Sequence, residues 1–358
     1  MRSGQPARCW LPAAALMLAA AANPAHAQSL FAERTAVEAV AAISTDSSDA
    51  GDPMIVLDAV ATVRVGRGFD VIVRPYSRRL PGGDWSAELY QLQVQYQSST
   101  RVPIRVDAGV ITSPLGLGTL EMRPDRNPAI GAPFYYYSPL PRFDGAPDRL
   151  NLLAPGYPIG VVVSASDSKW DVRGGVTDGT PARMRHAFAS GRPEATANFL
   201  VGGGVTPLPG FRLGAAIARG AYRPSAEAEG THVDSASATV FTVEGEYAIG
   251  FTRVTGEWIL DRFESSRGPA VSRGYTLLAV RTLSPRLFAA ARTSRVNTPT
   301  LVATVLTRRS ATGADATLGY RVSREITLGG AYQVFRGYGA PAWEHAVAMS
   351  AVWGARWD

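Results

Sequence analysis

The residues with chemistry to offer are concentrated between Ser113 and Tyr157. Four arginines there, Arg123, Arg126, Arg142 and Arg149, are matched by four carboxylates, Glu121, Asp125, Asp144 and Asp148, with the aromatic run Phe134-Tyr135-Tyr136-Tyr137 among them. A stretch of zero net charge is no anion filter by itself. Its tyrosines can stack a sugar ring or, more simply, pack the stretch against a wall. It alternates like neither a strand nor a helix, opening Ser113-Pro114-Leu115-Gly116-Leu117-Gly118 and closing through Leu150-Asn151-Leu152-Leu153. Loops this long inside compact structure are either functional or disordered. The aromatic and leucine content leaves surface worth burying, which argues against disorder. If the flanking segments close into a barrel, this loop folds inward and narrows the lumen.

Catalytic readings fare poorly. Past residue 27 the histidines are His186, His232 and His345, and neither a Gly-x-Ser-x-Gly elbow nor a His-Glu-x-x-His pair occurs. Gly202-Gly203-Gly204 looks like a phosphate cradle but sits in a strand pattern with no helix after it, so close backbone approach is the better reading. No cofactor or metal is expected. Arg64, Arg74, Arg105 and Arg253, with Glu244 and Glu246, fall on the polar phase of their segments. An arginine on a lipid-facing phase near the bilayer midplane would cost about 2–4 kcal/mol, so these six are assigned to a pore wall.

The segments that must position these residues begin after an export signal. Arg2 and Arg8 precede an apolar run from Leu11 to Ala22, and Ala25-His26-Ala27 is a small-x-small cleavage site, so residues 1–27 read as a signal peptide and 28–358 as the mature barrel. Cleavage lowers the net charge from +6 to +4 and removes Cys9, the only cysteine, leaving no thiolate metal site or disulfide. So weak a charge makes no case for a nucleic-acid partner.

From about Glu33 the chain falls into segments of roughly ten residues with period two, the signature of a transmembrane barrel. Sixteen can be marked, from 33–45 to 343–357, with the fifth at 102–113, a loop over 113–157, and the thirteenth and fourteenth at 286–296 and 312–322. Short turns such as Gly66-Arg67-Gly68 alternate with longer loops such as 179–193. The even positions Glu88, Tyr90, Leu92, Val94 and Tyr96 read as one outward row. In the last segment Trp343, His345, Val347, Met349, Trp353 and Trp357 read outward, with Glu344, Ser350, Gly354 and Arg356 inward. The expected fold is therefore all-β, a transmembrane antiparallel up-and-down β-barrel of about sixteen strands with a long inward-folding loop after the fifth.

Over its mature length this pattern resembles the Gram-negative outer-membrane porins. Strand 104–111, then Ser113-Pro114-Leu115-Gly116-Leu117 and Arg123-Pro124-Asp125, is similar to the strand-to-loop entry of the phosphate-selective type. Leu115 stands where an aromatic is usual, and that type's lysine clusters are absent. The resemblance implies an outer-membrane location, passive diffusion of small hydrophilic solutes and a homotrimer, while a charge-balanced loop set against a wall rich in arginine predicts a mild anion preference. It also implies contact with outer-membrane lipid and lipopolysaccharide, and recognition of the C-terminal strand by the assembly machinery. Two alternatives stay open: a substrate-specific channel for a sugar or aromatic acid, and a non-conducting barrel whose external loops bind a partner.

Overall fold

The computed structural model describes residues 35–47, 52–117, 123–131, 140, 150–153, 156–182, 196–223, 226–228, 231–233, 235–265, 268–302 and 305–357. The expected signal peptide lies outside them. The strands are β1 (Thr35–Asp46), β2 (Met54–Gly66), β3 (Phe69–Arg79), β4 (Trp85–Gln97), β5 (Ile104–Val110), β6 (Ile159–Ser166), β7 (Trp170–Asp178), β8 (Ala197–Leu208) and β9 (Phe211–Arg223). They continue as β10 (Ala226–Ala228), β11 (Thr231–Val233), β12 (Ala236–Ile249), β13 (Thr252–Phe263), β14 (Ala270–Thr282), β15 (Leu287–Val302), β16 (Val305–Arg321), β17 (Ile326–Arg336) and β18 (Glu344–Trp357). All but β10 and β11 close into one antiparallel barrel of sixteen strands, each beside its neighbour in sequence, with β9 paired to β12. β1 closes on β18 from Val37↔Trp357 to Asp46↔Ala348, so both ends of the described chain lie at the rim of short turns. Closure leaves no strand edge unpaired through the body of the barrel, which is what a bilayer interior demands of backbone amides and carbonyls.

The period-two pattern decides which way each side chain points. On β12 Val240, Thr242 and Glu244 are buried inside while Phe241, Val243 and Tyr247 are exposed outside. Among the described side chains, every barrel strand but β15 carries at least one exposed large apolar residue. A continuous apolar jacket of this extent far exceeds the patches of a soluble monomer.

Each of the sixteen segments marked from the sequence has one counterpart in the barrel. Three details differ. β15 and β16 run on through the expected 297–311 loop, because Val302, Val305 and Thr307 extend a hairpin paired as far as Val302↔Val305. Pro299 is tolerated because the β14–β15 ladder stops at Arg273↔Asn297, leaving β15 a single neighbour beyond it. A small hairpin, β10–β11, occupies part of the expected 223–236 loop. Finally, the β3–β4 register shifts between Arg74 and Pro75, giving β4 one extra residue at Tyr90. The bulge flips the phase above it, so Tyr90 is turned into the barrel, 2% exposed, instead of joining the outward row of Leu92, Val94 and Tyr96. Gly202–Gly204 lie within β8, and a Cβ on Gly203 would sit 2.5 Å from the Asp171 carbonyl oxygen, as close backbone approach requires.

Candidate functional site

The connection after β5 begins as an extension of the β5–β6 hairpin, with Ile111 N donating to Pro158 O and Ser113 N to Gly156 O. It then leaves the wall. Leu117 N donates to Glu257 Oε1 of β13 at 3.2 Å. Next comes a turn in which the amides of Arg126 and Asn127 both donate to Arg123 O. Asn127 fixes the following bend, accepting from Ala129 N at 3.0 Å and donating to Gly131 O at 2.6 Å, with Gly131 at φ 81°. Arg292 Nη1 of β15 donates to the same carbonyl at 3.0 Å, and Gln333 Nε2 of β17 donates to Ile130 O at 3.1 Å. β15 stands eight strands from β5 in either direction around the ring. The described residues of the connection therefore touch both the wall it leaves and the wall opposite.

Its charged tip lands beside Glu38 of β1. Arg123 donates to Glu38 Oε2 at 2.6 Å and grips Asp125 with two bonds of 3.0 Å; Arg126 also reaches Glu38 Oε2, at 3.2 Å, and Arg356 of β18 lies 3.5 Å from Glu38 Oε1. Since Val37 pairs with Trp357, this cluster is near the short-turn rim. Three guanidiniums thus surround two carboxylates. Higher in the barrel, Ile111, Leu115, Leu140, Leu150, Leu152 and Leu153 pack with inward apolar residues such as Val240, Ile259, Phe263 and Val296 in one dry cluster. Leu152 is fully buried, and a Cβ on Gly274 of β14 would lie 2.6 Å from its Cδ2. Glycine at that position is what lets the leucine seat against the wall.

Two further clusters line the inner wall. Arg74 of β3 donates to Asp58 of β2 through Nε at 2.9 Å and Nη2 at 2.6 Å, with both side chains nearly inaccessible. Tyr76, Tyr90 and Tyr157 stack beside them with ring centroids 4.1 Å apart, and the Arg74 guanidinium lies 5.7 and 5.5 Å from the Tyr90 and Tyr157 rings. Desolvation makes an unpaired charge here expensive, and the bidentate geometry compensates for it. On the far side Arg212 of β9 bridges Asp171 of β7 at 2.9 Å and Glu244 of β12 at 2.7 Å, and Arg173 adds a contact of 3.4 Å to Glu244.

The assigned wall residues all take the lumen phase, in differing circumstances. Arg64 pairs with Asp70, Arg105 with Asp107, Arg74 with Asp58, and Glu244 with two arginines. Arg253 is exposed near the short-turn rim and Glu246 is half-buried; neither has an ion-pair partner among the described residues. Of the loop residues assigned to a constriction, Arg123, Asp125 and Arg126 come together as above. Glu121, Tyr135, Tyr136, Tyr137, Arg142, Asp144, Asp148 and Arg149 lie outside the described residues. Arg64, Arg74 and Arg105 of the assigned wall are thus members of ion pairs. Glu38, Asp58, Asp107, Asp171 and Asp315 were missed as partners, although their even or odd place in a strand already put them on the lumen phase. Outside the strands, the Ser237 amide and Arg219 hold the Glu264 carboxyl below its ordinary range.

A closed ring of sixteen antiparallel strands, alternately joined by short turns and longer connections and carrying an apolar outer face, is the architecture of a transmembrane β-barrel. No protein-family model matches the chain, and no curated protein matches it. Among solved structures it is similar to outer-membrane-expressed OmpT of Vibrio cholerae, at 13% identity and a TM-score of 0.57 over 90% of this chain and 97% of that one. It is also similar to the anion-selective porin of Comamonas acidovorans (11%, TM-score 0.54, 90% and 99%) and to Salmonella typhi OmpF in complex with daunomycin (11%, 0.53, 90% and 97%). At such identities the likeness is one of fold.

Proposed function

We propose that the chain is an outer-membrane porin, a passive diffusion channel for small hydrophilic solutes, narrowed by the connection after β5 and mildly anion-preferring. The observation that carries the selectivity is unequal exposure within the lumen ion pairs. The side chains of Arg64, Arg105, Arg126 and Arg356 are 66, 48, 53 and 62% exposed, whereas their partners Asp70, Asp107 and Glu38 are 17, 12 and 25% exposed. A hydrated ion near the short-turn mouth therefore meets guanidinium first. Pairing cancels most of the field at a distance, so the preference is weak and short-ranged. The upper lumen between β9 and β15 is filled by the dry leucine cluster, which leaves the polar side bounded by β1–β5 and β16–β18 as the passage. Homotrimer formation fits the same reading, since one Vibrio cholerae OmpT structure is described as a trimer form.

Single-channel recording of refolded protein in planar bilayers tests this reading. Steady ohmic steps are expected, with an anion-to-cation permeability ratio of about 3 in 0.1 M salt that falls toward 1 at 1 M, as the screening length drops from about 10 to 3 Å. Replacing Arg64, Arg105, Arg126 and Arg356 by glutamine is expected to abolish or invert the ratio. Steps blocked by micromolar solute would point to a specific channel, and absence of steps to a barrel that binds partners.

A further inference from the structure

The longest hairpin of the barrel, β15–β16, rises past both of its neighbours. Trp258, Tyr275, Arg295, Thr312 and Arg336 are joined rung to rung across β13–β17. The outward Trp258 and Tyr275 put this row at the membrane interface on the long-loop side. Beyond it β16 continues from Ala311 to Val305 with β15 as its one ladder partner among the described residues, because the β16–β17 ladder stops at Thr312↔Arg336. The chain after Arg336 does not climb beside it but turns, with Ala340 N donating to Gly337 O. This end of β16 therefore stands above the apolar layer with one flank unpaired, which water permits and a bilayer interior would not.

The direction of each amide follows from the alternation of an antiparallel ladder. Arg321 N donates to Arg286 O, toward β15, and Val322 N donates to Ile326 O, toward β17. The β15–β16 ladder is unbroken from Leu287↔Tyr320 to Val302↔Val305, so Leu306, Arg308 and Ser310 turn their amides and carbonyls to the open flank. On β15, Leu287 O accepts from Leu283 N on the β14 side, and the same count turns Pro299 to that side, beyond the last β14 rung at Arg273↔Asn297. Its missing N–H blunts that edge, the usual place for a strand proline. The β16 flank has no proline. It carries Arg308, exposed on the outward face, and Arg309, whose Nη1 would lie 2.5 Å from a Cβ on Gly339. Neither has a carboxylate partner among the described residues.

We infer that this flank takes an added strand: an extended, acidic segment of a second protein that pairs with Leu306, Arg308 and Ser310 and sets alternate carboxylates beside Arg308. In such strand addition the backbone bonds give affinity and the flanking side chains select the partner. A second copy of this chain is the wrong occupant, because β16 laid antiparallel on β16 brings arginine against arginine, and like charges opposed across a ladder repel. The same arginines attract a strand of opposite charge. The inference holds whether or not the barrel conducts.

The test titrates full-length protein in phosphatidylcholine nanodiscs into a short fluorescein-labelled peptide of alternating glutamate and valine, read by anisotropy. Saturable binding is expected, and its absence overturns the inference. Affinity should fall about tenfold in R308E, where a pair of unlike charges becomes one of like charges, and about tenfold for a peptide with lysine in place of glutamate. A peptide methylated at every backbone nitrogen keeps its carboxylates but loses the donors of the ladder, so its binding should be lost. Equal binding of the methylated and parent peptides would mean a polyanion held by charge alone and would overturn the inference. Equal affinity of R308E and wild type, or of the glutamate and lysine peptides, would do the same. If R308E fails to refold, R308Q takes its place, with about a threefold loss expected and an undiminished affinity overturning the inference.

Discussion

Replacing Asp58 by alanine is expected to destabilise the folded barrel by about 3–5 kcal/mol, because it strands the Arg74 guanidinium in a buried site with no counter-charge. Both partners of this pair are nearly inaccessible, at 6 and 1% of side-chain surface, so solvent screening offers little relief. The stacked Tyr90 and Tyr157 rings stabilise the cation only in part. The double variant D58A/R74M should cost distinctly less than D58A alone, since it removes the stranded charge together with its partner. Urea midpoints of the three proteins refolded into lipid vesicles check this. A D58A loss below about 1 kcal/mol would mean that the pair is solvated like a surface ion pair.

The second large effect concerns how the connection after β5 is seated. Leu152→Ala should weaken its docking by about 2–5 kcal/mol, the usual range for a fully buried leucine whose neighbours collapse only partly. Gly274 and the β-sheet backbone behind it cannot move in to fill the space. The readout is chemical. Thr242 is fully buried, so a T242C probe should resist a water-soluble thiol reagent in the wild-type background and react readily once Leu152 is alanine. Equal protection in both backgrounds would show that the leucine cluster does not cover that wall.

The strand plan was legible because a barrel writes its outside and inside at every second residue, and a closed ring permits no exceptions in its middle. The pattern failed where geometry breaks that period. Tyr90 lies on an extra residue in β4, and nothing in the alternation of Gln91, Gln93 and Gln95 announces a bulge. Residues 297–311 fell between the thirteenth and fourteenth segments marked in the sequence, whereas β15 and β16 simply outreach their neighbours. At the site, the arginines of the wall were visible but their partners were not. Arg212 meets Asp171 and Glu244 from strands far apart in sequence, and that meeting is a matter of register. The same holds for Glu38, which no local pattern ties to Arg123, 85 residues away.

The central claim is that solutes pass through the lumen beside the connection after β5, and shortening that connection tests it most directly. Residues 127–148 would be replaced by a short glycine-serine link and single-channel conductance compared with the wild type. Sixteen mutually paired strands close the backbone hydrogen bonding without the loop, so the shortened protein should still insert as a barrel. Removing Ala129, Ile130 and Leu140 from their buried contacts should then widen the passage. A higher conductance with a permeability ratio nearer to 1 is the predicted result. Unchanged conductance and selectivity in a correctly folded shortened barrel would contradict it.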